Sequence, residues 1–190
     1  MSPFTHKILV CALFLCLGAA AQGRDWLTGL YQSPKGVGAT VILDGSDRQM
    51  EIFTLRTDFY GLLSGRTADI GACISFTHDY SMFVREGADY RLQIHAGAGG
   101  MAGYMHDFEK GVLSATDRQL EHASGWTAAL VGNLGLRVDF RRHLTLDLSF
   151  SLTPGAHLRT DPGTGALIVS LYRNGLYHVY YPQLNLMYRF

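Results

Sequence analysis

The stretch FTHDYSMF, residues 76–83, contains the three side-chain types of a hydrolase triad: His78, Asp79 and Ser81. Such a triad works only when the base bonds the nucleophile and the carboxylate orients the base. The surrounding residues alternate between apolar and polar in the manner of a β-strand, which places His78 on the apolar face and Asp79 and Ser81 on the polar face. These side chains cannot converge without a bulge, so the sequence does not predict a triad here.

The other histidines offer the next candidates for chemistry. His95 falls on the polar face of YRLQIHA, near Arg91, which favours packing and hydrogen bonding over a role as a base. Five further histidines lie at strand ends and in loops: His106, His122, His143, His157 and His178. They lack metal-ligand spacing such as His-Glu-x-x-His. We therefore predict no metal, no cofactor and no catalytic residue.

A third group of chemically active residues lies on the polar faces of several alternating runs, and its charges nearly balance. Its members are Arg56, Asp58, Asp69, Asp79, Arg91, His95, Arg137, Asp139, Asp147 and Arg189. If these faces point into a protein interior, the charges must pair, because buried charges persist only when they are paired. If the faces point outward, the same residues form an ordinary solvated surface.

Composition limits the possible classes of protein. The 190 residues carry no formal net charge, so there is no basic footprint for nucleic acid. Charged residues make up 17% of the chain, against roughly 25% in average soluble domains. This composition suits a β-protein whose surface is not entirely in water.

The N-terminus predicts export. A cationic MSPFTHK, an apolar ILVCALFLCLG and a small-residue AAAQ form the three parts of a secretory signal peptide, which we place at 1–21. The mature domain is then 22–190, and Cys73 is its one cysteine, so no disulfide can form within it. We expect Cys73 to be a small packing residue.

Period-two alternation dominates the mature domain and predicts antiparallel strands. HLTLDLSFSL, for example, places five apolar residues on one face and four polar residues on the other. Clusters of Gly, Asp and Ser separate eight such runs, near 27–33, 36–44, 49–63, 67–83, 89–106, 125–140, 143–153 and 176–190. The glycines of AGAGG (96–100) are expected to make room for bulky neighbours or to allow tight curvature.

Two architectures fit eight alternating strands. A soluble sandwich or lipocalin-like barrel turns its apolar faces inward, whereas an outer-membrane barrel turns them toward lipid. Several strands exceed ten residues, the length that a tilted strand needs to cross a bilayer. Two aromatic pairs, Tyr90 with Tyr104 and Trp126 with Phe140, each bracket one strand at a spacing of fourteen residues. This spacing is typical of the aromatic girdles of a membrane barrel, so we predict an all-β, antiparallel, eight-stranded up-and-down transmembrane barrel.

The end of the chain, LNLMYRF, resembles the C-terminal signal of Gram-negative outer-membrane β-barrel proteins, in which a terminal aromatic follows alternating apolar residues. Leu184, Leu186, Tyr188 and Phe190 match that pattern. The segments AGAGGMAGY and GLRVDFRRHLTLDLSF also resemble the small, roughly eight-stranded members of this class. The resemblance implies location in the bacterial outer membrane, contact with its lipids, and recognition of the last strand by the barrel-assembly machinery.

This topology places short turns in the periplasm and two longer segments, 107–124 and 154–175, outside the cell. Pro182 cannot donate to a strand ladder, so we expect a bulge there or pairing that begins after it. Residues 166–175 could extend a strand above the membrane. Eight strands leave room for side chains and not for an aqueous channel, so porin function is not predicted.

The functional prediction is a monomeric, non-enzymatic barrel with a structural or adhesion role, whose two long segments bind an external partner. The alternatives are an outer-leaflet lipid-modifying enzyme of deacylase or acyltransferase type, a soluble secreted binder, and an accessory protein of conjugative transfer.

Overall fold

The computed structural model describes residues 25–34, 36–46, 48–57, 70–105, 124–140, 143–160, 163–172 and 177–189. The predicted signal peptide lies outside these residues. The strands are β1 (Asp25–Ser33), β2 (Gly36–Ser46), β3 (Gln49–Thr57), β4 (Ala72–Glu86), β5 (Tyr90–Met105), β6 (Gly125–Phe140), β7 (Leu144–Leu152), β8 (Gly155–Thr160), β9 (Leu167–Leu171) and β10 (Gln183–Arg189). One helical turn, α1 (Tyr177–Tyr180), precedes β10. None of the helical residues described forms a helix long and apolar enough to cross a membrane.

The strands form a closed antiparallel barrel. Strands β1 to β7 pair in chain order, and β10 pairs with both β7 and β1. Eight strands therefore complete the ring, which leaves the ring without an edge. The predicted eight-stranded antiparallel barrel is confirmed.

The seventh strand of the ring is longer than predicted and is interrupted once. Strands β7 and β8 keep one register along β6, from Leu144 opposite Phe140 to Leu158 opposite Trp126. The interruption falls at Pro154, which has no N–H to donate, although its carbonyl still accepts a hydrogen bond from the Leu130 N–H at 3.0 Å. The segment 154–175, predicted as a loop, therefore contains the ordered hairpin of β8 and β9.

The eighth strand differs from its prediction at its beginning. The alternation predicted a strand over 176–190, but α1 occupies Tyr177–Tyr180, and β10 begins at Gln183, directly after Pro182. Pairing thus begins after the proline, as expected. The separate strand β9 lies within 166–175, where a strand extension was considered.

The two ends of the barrel differ in their connections. At one end, the connections β2–β3, β4–β5 and β6–β7 are two or three residues long, and β10 ends there as well. We call this the turn end. At the opposite end, three of the connections are longer: 58–71 between β3 and β4, 106–124 between β5 and β6, and 161–166 between β8 and β9. We call this the loop end.

Side-chain burial is the reverse of that in a soluble barrel. On β7, Leu144, Leu146 and Leu148 face outward, while Thr145 and Asp147 between them are buried. Arg137 and Asp147 are 0% and 1% exposed, whereas Leu130 is 71% exposed. The polar faces of the strands therefore form the lumen, and the apolar faces form the outer surface.

The lumen also contains an apolar cluster that the alternation did not predict. Leu27, Ile42, Met50, Ile52 and Met187 pack together inside the barrel. Side chains from β1, β2, β3 and β10 thus fill this part of the interior without ionic pairing.

Candidate functional site

The polar groups of the lumen form three layers. The layer at the turn end is centred on Arg137, whose Nη1 and Nη2 donate to the two carboxylate oxygens of Asp44 at 3.0 and 3.1 Å. Its Nε donates to Asp139 at 3.0 Å. Arg189 donates to the same Asp44 at 3.1 Å and lies 3.3 Å from Asp25. A planar guanidinium bonded bidentately to a carboxylate is a strong and strictly oriented ion pair.

The central layer is a histidine between two carboxylates. His95 Nδ1 lies 2.7 Å from Asp79 Oδ2, and Nε2 lies 3.3 Å from Asp147 Oδ2, the second contact being less well aligned. Asn133 also donates to Asp79 Oδ2, at 2.8 Å. The layer therefore places both nitrogens of one buried imidazole ring against carboxylate oxygens, one from β4 and one from β7.

The layer at the loop end is built around Arg56. Its guanidinium contacts Cys73 Sγ at 3.1 Å, Met101 Sδ at 2.6 Å and the Tyr172 hydroxyl at 3.4 Å. Cys73 and Met101 also pack with Met105, Val131 and Tyr172 in one buried cluster. The Cys73 thiol is thus buried in packing contacts.

Two glycines make space for the central layer. A Cβ on Gly97 would lie 2.2 Å from Asp79 Oδ1, and a Cβ on Gly135 would lie 2.2 Å from His95 Nε2. Any larger residue at either position would occupy the volume of a charged group. This close approach explains the glycine at position 97 in the AGAGG segment.

We expect Gly135→Ala to destabilise the barrel by about 1–3 kcal/mol, since the added methyl overpacks a fully buried ring. Gly132→Ala is the matched control three residues earlier, where the nearest atom to an added Cβ is 3.9 Å away. The measurement is the midpoint of urea-induced unfolding. Equal midpoints for the two variants would show that the ring does not need this space.

The structure assigns different positions to the ten predicted network residues. Seven lie in the layers: Arg56 at the loop end, Asp79, His95 and Asp147 at the centre, and Arg137, Asp139 and Arg189 at the turn end. Arg91 belongs to none of the three layers, and its Nε lies 3.8 Å from Glu86 Oε1. Asp58 and Asp69 lie outside the described residues.

Sequence reasoning missed several members of the layers. Asp44 ends the alternating run of β2 and could have been found from its phase with Thr40 and Ile42. Tyr172 follows β9 without a regular alternation, so no pattern marked it. Asn133 is on the polar face of β6, but it was missed because the predicted network was built from residues of opposite charge and an amide is uncharged.

The predicted girdle aromatics form two cross-strand pairs on the outer surface. Tyr104 is opposite Trp126 near the loop end, with ring centroids 5.5 Å apart, and Tyr90 is opposite Phe140 at the turn end. Leu184, Leu186 and Tyr188 of the C-terminal pattern also face outward, and Phe190 lies outside the described residues.

The suspected hydrolase residues do not converge. His78 packs against Tyr80 on the outer surface, with ring centroids 4.9 Å apart. Asp79 bonds His95 inside the lumen, and the Ser81 hydroxyl donates to Gln93 at 3.1 Å. Within the described residues, no group of three or more His, Cys, Asp or Glu side chains is arranged to hold a metal ion.

Comparison with known proteins leaves the site to be interpreted from its own geometry. No protein family, no curated protein and no solved structure matches this chain.

Proposed function

We propose that the chain is an outer-membrane β-barrel protein whose apolar outer surface contacts lipid. The observation that carries this proposal is the reversed burial of its strands, with ions inside and leucines outside. Large exposed apolar surfaces are rare on soluble monomers and mark sites of contact with a partner or a membrane. A closed barrel is also one of two structures that satisfy all backbone hydrogen bonds in lipid.

The aromatic pairs support the same proposal through their separation. Fourteen residues of a strand tilted by about 40° span a height on the order of 35 Å. This height corresponds to a hydrocarbon layer with its interfaces, where tyrosine and tryptophan are enriched. In this proposal, the Tyr104–Trp126 pair lies at one interface and the Tyr90–Phe140 pair at the other.

The orientation follows from the connections. Membrane barrels of this kind have short periplasmic turns and longer external loops. The turn end would then face the periplasm, together with the C-terminal strand that the assembly machinery reads. The loop end would face the outside of the cell.

The role that we propose for the barrel is structural or adhesive, without catalysis. The segments 107–124 and 154–175 would present the surface for an external partner. The ordered hairpin of β8 and β9 supports this role, because Leu167, Val169 and Leu171 on it are exposed. Replacing Leu167, Val169 and Leu171 together by Ser should keep the barrel and reduce adherence of whole cells, because these side chains are exposed on β9 and do not pair with the ring. Unchanged adherence would assign the contact to another segment or remove the adhesive role.

The test of location combines fractionation with gel mobility. We expect the full chain in the outer-membrane fraction, with a mobility that changes on boiling, since closed membrane barrels resist unheated detergent. We expect Phe190→Ser to lower the outer-membrane fraction, because Phe190 belongs to the proposed assembly signal. Recovery of the unmodified chain as a soluble periplasmic protein would overturn the proposal.

A further inference from the structure

A cavity lies between the central layer and the loop-end layer of the lumen. The side chains that line it come from β1, β3, β4, β5, β6, β7 and β10, with Thr153 from the break between β7 and β8, and most of them are hydroxyls and amides. Its volume is about 40 Å³. Asp147 and Arg56 both line it, so it runs between a buried carboxylate and a buried guanidinium. We call this cavity the chamber.

Four buried polar atoms line the chamber without a hydrogen-bond partner among the described residues. They are the Tyr31 hydroxyl, Thr77 Oγ1, Thr153 Oγ1 and Asp147 Oδ1. The residues that carry them are each less than one-tenth exposed. Buried polar groups are nearly always paired with protein or with ordered water, so four such atoms around one cavity indicate a polar ligand.

The chemistry of these atoms restricts the ligand. Three are hydroxyls, which donate or accept, and one is a carboxylate oxygen, which only accepts. The ligand must therefore both donate and accept hydrogen bonds. A volume of about 40 Å³ is enough for about three water molecules.

Tyr172 packs at the loop-end side of the chamber, in one buried cluster with Met101 and Val131, which both line the chamber. Its backbone N–H donates to the Gly155 carbonyl at 2.9 Å, which anchors it to β8. Its hydroxyl accepts from Arg56 at 3.4 Å, and its ring meets His157 edge-on at 6.4 Å. Arg56 is one of the residues that line the chamber, so Tyr172 is in direct contact with the chamber wall.

We propose that the chamber is a binding site for a small cluster of ordered water molecules, and that Tyr172 closes it toward the loop end. The cluster bonds the four buried polar atoms and extends from Asp147 toward Arg56. The side chain of Tyr172 keeps it separate from external solvent.

The first test examines the closure through Cys73, which packs in the same cluster as Tyr172. The folded protein in detergent micelles is treated with a small methanethiosulfonate reagent, and peptide mass spectrometry measures modification at Cys73. We expect Tyr172→Ala to raise the rate by at least about tenfold, because thiol reactivity follows access. Tyr172→Phe keeps the ring and should stay within about twofold of the unmodified protein.

Tyr180→Ala is the matched control, since Tyr180 is an exposed tyrosine on α1. A heat-dependent gel shift verifies that each variant is folded. Equal Cys73 rates for Tyr172→Ala and Tyr180→Ala would overturn the proposed closure.

The second test examines the water cluster by high-resolution crystallography. We expect ordered water within hydrogen-bonding distance of the four polar atoms, and the loss of one site in Thr153→Val. Thr127→Val is the control, because the Thr127 hydroxyl is equally buried and has no partner in the described part of the chain, but Thr127 does not line the chamber. Direct bonds between the chamber side chains, without water density, would overturn the binding site.

Discussion

Arg137→Met should lower the free energy of unfolding by about 3 kcal/mol, because removing one partner of a buried ion pair leaves the other charge uncompensated. Arg137 is fully buried and supplies three hydrogen bonds to Asp44 and Asp139. The expected loss falls at the lower end of the range for such pairs, since Asp44 is partly exposed and keeps its bond to Arg189. The measurement is urea-induced unfolding from lipid vesicles.

Arg91→Met is the matched control for this substitution. Arg91 lies 3.8 Å from Glu86, and their side chains are 31% and 76% exposed, so the loss of this ion pair should cost less than about 0.5 kcal/mol. Adding Asp139→Asn to Arg137→Met should recover part of the loss, because Asp139 loses its 3.0 Å contact to Arg137 and keeps a more distant contact, at 3.8 Å, to Arg189. Equal stabilities for Arg137→Met and Arg91→Met would contradict the assigned importance of the turn-end layer.

Leu134→Arg should cost about 2–4 kcal/mol if the outer surface lies in lipid, since a cation near the bilayer midplane is expensive on a barrel's lipid face. Leu134 is 49% exposed and lies between Trp126 and Phe140 on the outer face of β6. The same substitution on a water-exposed surface changes stability by about 0.5 kcal/mol or less. The vesicle unfolding midpoint therefore separates a membrane barrel from a soluble one.

Tyr180→Arg provides the comparison outside the apolar band. Tyr180 is exposed on α1 at the loop-end side of Pro182, where the proposal places water. We expect the free energy of unfolding of the Tyr180→Arg variant to stay within about 0.5 kcal/mol of that of the unmodified protein. A similarly small effect of Leu134→Arg would refute the placement of β6 in lipid.

The alternation of side chains predicted most of the ring because it is a local property of an extended backbone. In β7, the outward Leu144 and the inward Asp147 follow from a period of two, whatever strand lies beside them. The interruptions at Pro154 and α1 fall near prolines, and the missing N–H of a proline can be recognised from the sequence. The extent of β8 and β9, by contrast, depends on pairing with residues far away in the chain.

The pairing partners of the lumen charges could not be predicted in the same way. Arg137 stands directly opposite Asp147 in the β6–β7 register, and local reasoning would pair them. In the folded protein, Arg137 bonds Asp44 from β2 across the lumen, while Asp147 faces His95 from β5. Closure of the ring brings these strands within reach of one another, and no local pattern encodes that distance.

The sequence by itself determined which side chains share a face of each strand, because the extended backbone points successive side chains to opposite faces. It therefore also determined that one surface of the sheet is apolar and the other carries charged side chains. Strand length and aromatic spacing also predicted that the charged surface lies inside, and the burial of Arg137 and Asp147 agrees with that prediction. Only the tertiary structure decided which ions pair and where Tyr172 and the chamber lie. Those outcomes depend on the closure of eight strands around one axis, which sets distances between residues far apart in the chain.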